Sequence, residues 1–168
     1  VPVPAKRQGL WLASRIARPT RGTRHRAIEL AGVPVEEVVH TDGGDFSIVY
    51  LHGGAYCVGS PGTHRAITSR IAHQTGARVL AVDYRLAPEH PFPAALEDAL
   101  AVYEHLLDTG EKADQIALAG DSAGGGLALS TVLAAREAGL ETPAALWLMS
   151  PWVDLTLSNS GYTSPREY

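Results

Sequence analysis

Apolar residues fall along this chain in short continuous runs, separated by longer stretches whose apolar positions recur at helical spacing. Val35 to His40 and Phe46 to Leu51 read as two strands around the turn Thr41-Asp42-Gly43-Gly44, and so as a hairpin. Thr63 to Thr75 carries Ala66, Ile67, Ile71 and Ala72 on one helical face and stops at Gly76, and Arg78 to Val82 follows as a short buried strand. Residues 83 to 92 are a proline-punctuated loop. Pro93 then fits the first turn of a helix bearing Leu96, Ala99, Leu100, Tyr103, Leu106 and Leu107, ended by Gly110. Gln115 to Ala119 predicts a third apolar strand, Ala123 to Ala138 a third helix closed by Gly139, and Ala144 to Met149 a fourth strand. Apolar strands alternating with helices predict an α/β fold: a mainly parallel sheet with helices on both faces and right-handed crossovers. Its reactive edge then lies beyond the carboxyl ends of the strands.

Charge changes the picture only at the front. Residues 1 to 26 hold seven Lys or Arg (Lys6, Arg7, Arg15, Arg18, Arg21, Arg24, Arg26) and no acid, so the remainder carries seven cations against all eighteen acids. A nucleic-acid patch, a membrane-surface helix and a transit peptide all compete for such an arm. Against them stand one short apolar cluster, Leu10 to Ile16, cut off by Pro19, and an acidic body that repels phosphate. A solvated helix covering a site is the reading we carry forward, with no nucleic-acid partner expected. Residues 1 to 30 are accordingly taken as a basic arm and candidate cap helix, and 31 to 168 as the body. A single cysteine, Cys57, excludes an internal disulfide and a Cys-rich zinc site and suits a reducing, cytoplasmic setting. No apolar run approaches the roughly 18 residues of a membrane span. Val1 in place of a methionine leads us to expect further chain before it.

Two motifs carry chemistry. Gly120-Asp121-Ser122-Ala123-Gly124 fits G-x-S-x-G between a predicted strand and a predicted helix, the setting in which a serine is held exposed on a tight turn beside free helix N–H groups. Taken alone, it reads equally as a helix N-cap, with Ser122 accepting a helical N–H bond. A phosphate loop is a poor rival, because after Gly125 it is Gly126 that stands where a P-loop needs its lysine. His52-Gly53-Gly54-Ala55 directly follows the strand ending at Leu51, and its small residues leave backbone N–H groups uncovered, as an oxyanion hole requires. The two loops together favour acyl transfer over a cap and a plain turn.

These residues also resemble a known family. His52-Gly53-Gly54-Ala55-Tyr56, Asp83-Tyr84-Arg85-Leu86-Ala87-Pro88-Glu89, Gly120-Asp121-Ser122-Ala123-Gly124-Gly125 and Ser150-Pro151-Trp152-Val153-Asp154-Leu155 are similar to the hormone-sensitive-lipase branch of the α/β-hydrolases, the bacterial carboxylesterases. The resemblance runs from about residue 46 onward and is weakest over residues 31 to 45. It implies an α/β-hydrolase fold with Ser122 as nucleophile. Main-chain N–H groups of Gly53, Gly54 and Ala123 would form the oxyanion hole, and Ala55 stands where the family more often has a third glycine. Tyr84, Arg85, Pro88 and Asp98 would be scaffold, and Cys57 a small buried filler. A small-molecule ester is the implied substrate, with no metal and no organic cofactor, and homo-oligomerisation is left open.

A serine hydroxyl needs a base, and the base needs an orienting acid. In this fold they follow in the order Ser, acid, His. All seven histidines (His25, His40, His52, His64, His73, His90, His105) precede Ser122. None reads as a substitute base, and neither Asp154 nor Glu167, the acids weighed after the serine, is convincing. The expectation is that these residues are the N-terminal part of an esterase, incomplete at the C-terminus, inactive alone and prone to self-associate through an open sheet edge. The alternative is a non-catalytic ligand-binding protein or receptor on the same fold, such as the plant hormone receptors that resemble these esterases but lack the catalytic histidine.

Overall fold

The computed structural model describes residues 2–14, 18–40 and 44–156. Thr41 to Gly43 of the expected turn, Arg15 and Ile16 of the arm, and Glu167 lie outside them. In chain order the elements are α1 (Val3–Ser14), β1 (Thr23–Leu30), β2 (Val33–His40), β3 (Ser47–Leu51), α2 (Arg65–Thr75), β4 (Arg78–Val82), α3 (Ala94–Asp108), β5 (Ile116–Asp121), α4 (Ala123–Glu137) and β6 (Ala145–Met149), with 3-10 turns at Pro61–His64 and Ala113–Gln115. The strands form one sheet in the order β1-β2-β4-β3-β5-β6. β1 and β2 run antiparallel to each other, β2 antiparallel to β4, and β4, β3, β5 and β6 are parallel. The α/β expectation holds.

The expected hairpin does not. β2 and β3 are separated by β4, which pairs antiparallel with the one and parallel with the other. β3 is buried at every position, as a central strand covered on both faces must be. The hairpin that forms is one strand earlier: β1 pairs with β2 through Ala31 and Gly32, both at positive φ (49° and 77°), the two-residue turn that matches strand twist. Thr23–Leu30, read from the sequence as part of a basic arm, is thus a strand of the sheet. Its arginines lie on the exposed side, and Arg26 reaches Glu37 directly opposite it on β2.

Strand periodicity divides the core. Ile48 and Tyr50 of β3, Val79 of β4 and Ala117 and Ala119 of β5 face α2 through Ile71 and Ala72. Val49, Leu51, Leu80, Val82, Ile116 and Leu118 face α3 and α4, where they meet Val102, Tyr103, Leu106, Leu127 and Ala128. Fully burying one such Val or Leu contributes about 1.5–3 kcal/mol, so the three inner parallel strands, β4, β3 and β5, hold most of the core. β6 ends the sheet among the described residues, and its Trp147 is 47% exposed.

α1 lies outside these layers, and Arg7 ties it down. The Arg7 guanidinium donates to Cys57 O (2.8 Å) and Ala87 O (3.0 Å) and forms a forked pair with Glu89 (2.9 and 2.8 Å). The basic arm is therefore anchored on the two loops that leave β3 and β4. Among the described residues no helix is long and apolar enough to cross a membrane.

Candidate active site

Three parallel strands, β3, β5 and β6, deliver their carboxyl ends side by side. Ser122 sits where β5 turns into α4, at φ 52° and ψ −121°, a region an L-residue occupies only when its surroundings hold it there. They do: its N–H donates to Met149 O (3.0 Å), and its carbonyl accepts from Trp152 N–H (2.8 Å) and Gly126 N–H (3.2 Å). The side chain makes no capping bond to α4. That removes the N-cap reading and leaves the hydroxyl uncommitted, beside Ala123, the first residue of α4, whose N–H has no intrahelical acceptor.

The glycines bring the loops together at backbone distance. A β-carbon on Gly124 would lie 2.0 Å from Leu51 O, and one on Gly120 would lie 2.4 Å from Gly124 O. The end of β3 and the start of α4 touch through bare backbone, which sets the His52–Ala55 loop against the serine turn. On Gly53 a β-carbon would fall 2.2 Å from Asp121 Oδ2, so only glycine admits that carboxylate.

The loop's carbonyls decide which N–H groups are free. Gly53 O meets His52 Nδ1 (2.9 Å), and Gly54 O accepts from Cys57 N–H and Val58 N–H (3.0 Å each). In a trans peptide the N–H points opposite to the carbonyl, so the N–H groups of Gly54 and Ala55 are turned away from these internal partners. Among the described residues nothing accepts from either. Gly54, Ala55 and Tyr56 all have positive φ (135°, 52° and 59°), a local strain that the carbonyl bonds and Asp121 maintain. The Gly53 N–H differs: it donates to Asp121 Oδ1 at 2.9 Å. This corrects the expectation for Gly53, whose N–H is already spent on a carboxylate. Gly54 and Ala123 keep free donors, and Ala55, the supposed departure from the family pattern, has one too.

Asp121, the variable position of G-x-S-x-G, is the anchor that sequence reasoning missed. Its Oδ1 accepts from the Tyr50 hydroxyl (2.7 Å) as well as Gly53 N–H, and His64 Nε2 stands 3.7 Å away. Burial raises its pKa, but His64, Tyr50 and Gly53 outweigh burial and bring the carboxyl down to about 2. A carboxylate in a nucleophile motif was the available signal.

His52 is 1% exposed, stacked on Tyr84 (ring centroids 4.3 Å apart) and against His64 (5.3 Å), while the Tyr84 hydroxyl donates to His52 O (2.6 Å). Burial pushes its imidazole down to about 4 even though the Gly53 carbonyl favours the proton. It is a neutral wedge, with Nδ1–H held by Gly53 O, and not a base for Ser122. Because its folded pKa lies below the ordinary ~6.5, its contribution to stability is complete above pH ~6.5 and is lost as pH falls toward 4, by roughly 3 kcal/mol. Urea midpoints taken from pH 7 to 4.5 should fall accordingly, and His52→Gln should flatten that slope. Asp121 acts in a separate window, below pH ~4.

The remaining candidates have other places. Arg85 and Asp98 form a forked pair (Nε to Oδ1 2.9 Å), with Arg85 N–H on Oδ2 (2.8 Å), which fastens the 83–92 loop to α3. Cys57 is only partly buried, a correction to its reading as buried filler. His25 contacts Glu36, His40 meets His73 edge-on, and Asp154 closes a local turn with Thr156. Among the described residues no imidazole or carboxylate is hydrogen-bonded to the Ser122 hydroxyl.

Comparison with known proteins gives consistent results. The family described as alpha/beta hydrolase fold matches residues 48–168. An acetyl-hydrolase of Streptomyces hygroscopicus is 48% identical over 120 residues, covering 71% of this chain and 40% of that protein. A carboxylesterase/phospholipase of Mycobacterium tuberculosis is 38% identical over 160 residues, covering 92% and 42%. The crystal structure of a hormone-sensitive lipase from a metagenome library superposes with a TM-score of 0.94 at 44% identity, covering 97% of this chain and 55% of that one. The chain spans about half the length of the relatives it matches.

Proposed function

Since the chain belongs to the alpha/beta hydrolase fold family, in its hormone-sensitive-lipase-like branch, we propose that it is the part of a carboxylic-ester hydrolase that carries the nucleophile and the oxyanion hole. The observation that carries this reading is Ser122, held at positive φ with an uncommitted hydroxyl beside three free backbone N–H groups. Ser122 Oγ attacks the ester carbonyl carbon while its proton passes to a base. The carbonyl π pair moves onto oxygen, and the resulting oxyanion is held by the N–H groups of Gly54, Ala55 and Ala123, which are preorganised and need no rearrangement. The C–O bond to the alcohol then breaks as the base returns its proton to the leaving oxygen. Water attacks the acyl-serine by the same route, releasing the acid and restoring Ser122.

The base and its acid are not among the described residues in contact with Ser122, so the reading requires them from outside those residues. Its test therefore uses the whole protein, with p-nitrophenyl butyrate as the ester. Release of p-nitrophenolate through many turnovers is expected. Saturable binding of the ester with no turnover supports the receptor alternative and contradicts this reading.

A further inference from the structure

Beneath the oxyanion loop lies a charge that the reaction as written leaves unbalanced. Asp121 is a half-buried carboxylate joined to Gly53 by a hydrogen bond, one residue from the free N–H groups. Negative charge so close to a developing oxyanion opposes it, and a buried carboxylate needs a counter-charge in any case. Among the described residues Asp121 has a single basic partner within 4 Å, His64, whose Nε2 lies 3.7 Å from Oδ1. At that distance the contact is one of charge and not a hydrogen bond.

The other side of the His64 ring shows why it can serve. Nδ1 faces Ser60 O at 3.1 Å and Thr63 Oγ1 at 2.8 Å. The Thr63 hydroxyl already donates to Ser60 O (2.8 Å) and accepts from Ser60 N–H (3.0 Å), so it offers Nδ1 a lone pair and not a proton. Ser60 O is an acceptor only. Nδ1 must therefore donate, and a neutral ring protonated there would turn its Nε2 lone pair on the Asp121 carboxylate. A ring with protons on both nitrogens instead directs a proton to each side and places a positive charge beside Asp121. The ring is held in this position by the Ser60–Thr63 capping box before α2 and by its stack on neutral His52, with the Tyr50 ring beside it (6.3 Å).

We propose that His64 is a positioning residue that acts as the counter-charge of Asp121, so that the carboxylate can anchor the oxyanion loop without opposing the oxyanion. The inference rests on the ester-hydrolase reading of this site. Neutralising His64 then leaves Asp121 uncompensated and weakens the transition state more than substrate binding, whereas removing both charges together restores the balance. In the double variant the side-chain carbonyl of asparagine still accepts from Tyr50 and Gly53.

The experiment uses the whole protein. In His64→Gln, kcat for p-nitrophenyl butyrate should fall about tenfold with KM little changed, short of the 10²–10³-fold cost of deleting an oxyanion donor. His64→Gln combined with Asp121→Asn should recover most of that loss, and His64→Lys, which keeps the cation, should retain most of the parent's kcat. An unchanged kcat in His64→Gln, or a loss that the double variant does not recover, overturns the proposal. Long-range ¹H–¹⁵N spectra of histidine-labelled parent protein at pH 7 supply a readout independent of turnover. Protons on both His64 ring nitrogens are expected, and a single-proton tautomer overturns the proposal. A parent protein that hydrolyses no ester defeats the functional reading instead, and the spectra still decide the charge of His64.

Discussion

Ser122→Ala in the whole protein is expected to lower kcat for p-nitrophenyl butyrate by about 10⁶-fold, the scale on which removal of a nucleophile acts, while KM changes little. Residual rate above water would come from the oxyanion donors alone, which do not depend on the hydroxyl. Stability should stay close to that of the parent, because the Ser122 side chain makes no capping bond and alanine meets the same positive φ at a similar cost. Comparing kcat and the urea midpoint separates the two effects. A variant retaining full rate would remove Ser122 from the chemistry.

The second large effect is structural and runs against helix propensity. Gly124 lies in the first turn of α4, where replacing glycine by alanine ordinarily stabilises a helix by up to about 1 kcal/mol. Here the added methyl would sit 2.0 Å from Leu51 O and 2.5 Å from His52 O, both main-chain atoms that cannot swing aside. β3 and α4 must separate, so Gly124→Ala should lose about 3 kcal/mol, the upper end of ordinary overpacking. It should also lose activity where it still folds, since the same separation carries Ser122 away from Gly54 and Ala55. Gly9→Ala in α1 is the control: nothing lies within 4 Å of its β-carbon, and its stability should hold or rise slightly.

Where the chain's pattern was strong, the sequence predicted the element closely. Arg78 to Val82 is β4 as read, and the third helix and fourth strand fall within a residue of α4 and β6. β1 escaped because its apolar positions, Ile28 and Leu30, are only half-buried and are outnumbered by arginine and histidine, so an exposed edge strand looked like a charged arm. The hairpin was misplaced for a related reason. Gly43-Gly44 is a louder turn signal than Ala31-Gly32, yet strand order in a parallel sheet is set by crossovers that local pattern does not encode.

The site divides the same way. The serine elbow and the small-residue loop were legible because strand, turn and helix chemistry coincide at consecutive residues. Which loop N–H is free was not, because that depends on where the carbonyls of Gly53 and Gly54 point and on a carboxylate 68 residues away in the chain. Similarly long separations hid Tyr50, Asp121 and His64 as a group, since each alone reads as an ordinary strand, turn or helix-end residue.

The most direct measurement is a crystal structure of the whole protein inhibited by a p-nitrophenyl alkylphosphonate, whose phosphoryl oxygen stands in for the oxyanion of the ester reaction. The predicted result is phosphorus bonded to Ser122 Oγ, with its oxygen about 3 Å from the nitrogens of Gly54, Ala55 and Ala123 and the Gly53 N–H still on Asp121. Phosphorus on another residue, or an oxygen held by Gly53 in place of Ala55, would contradict it.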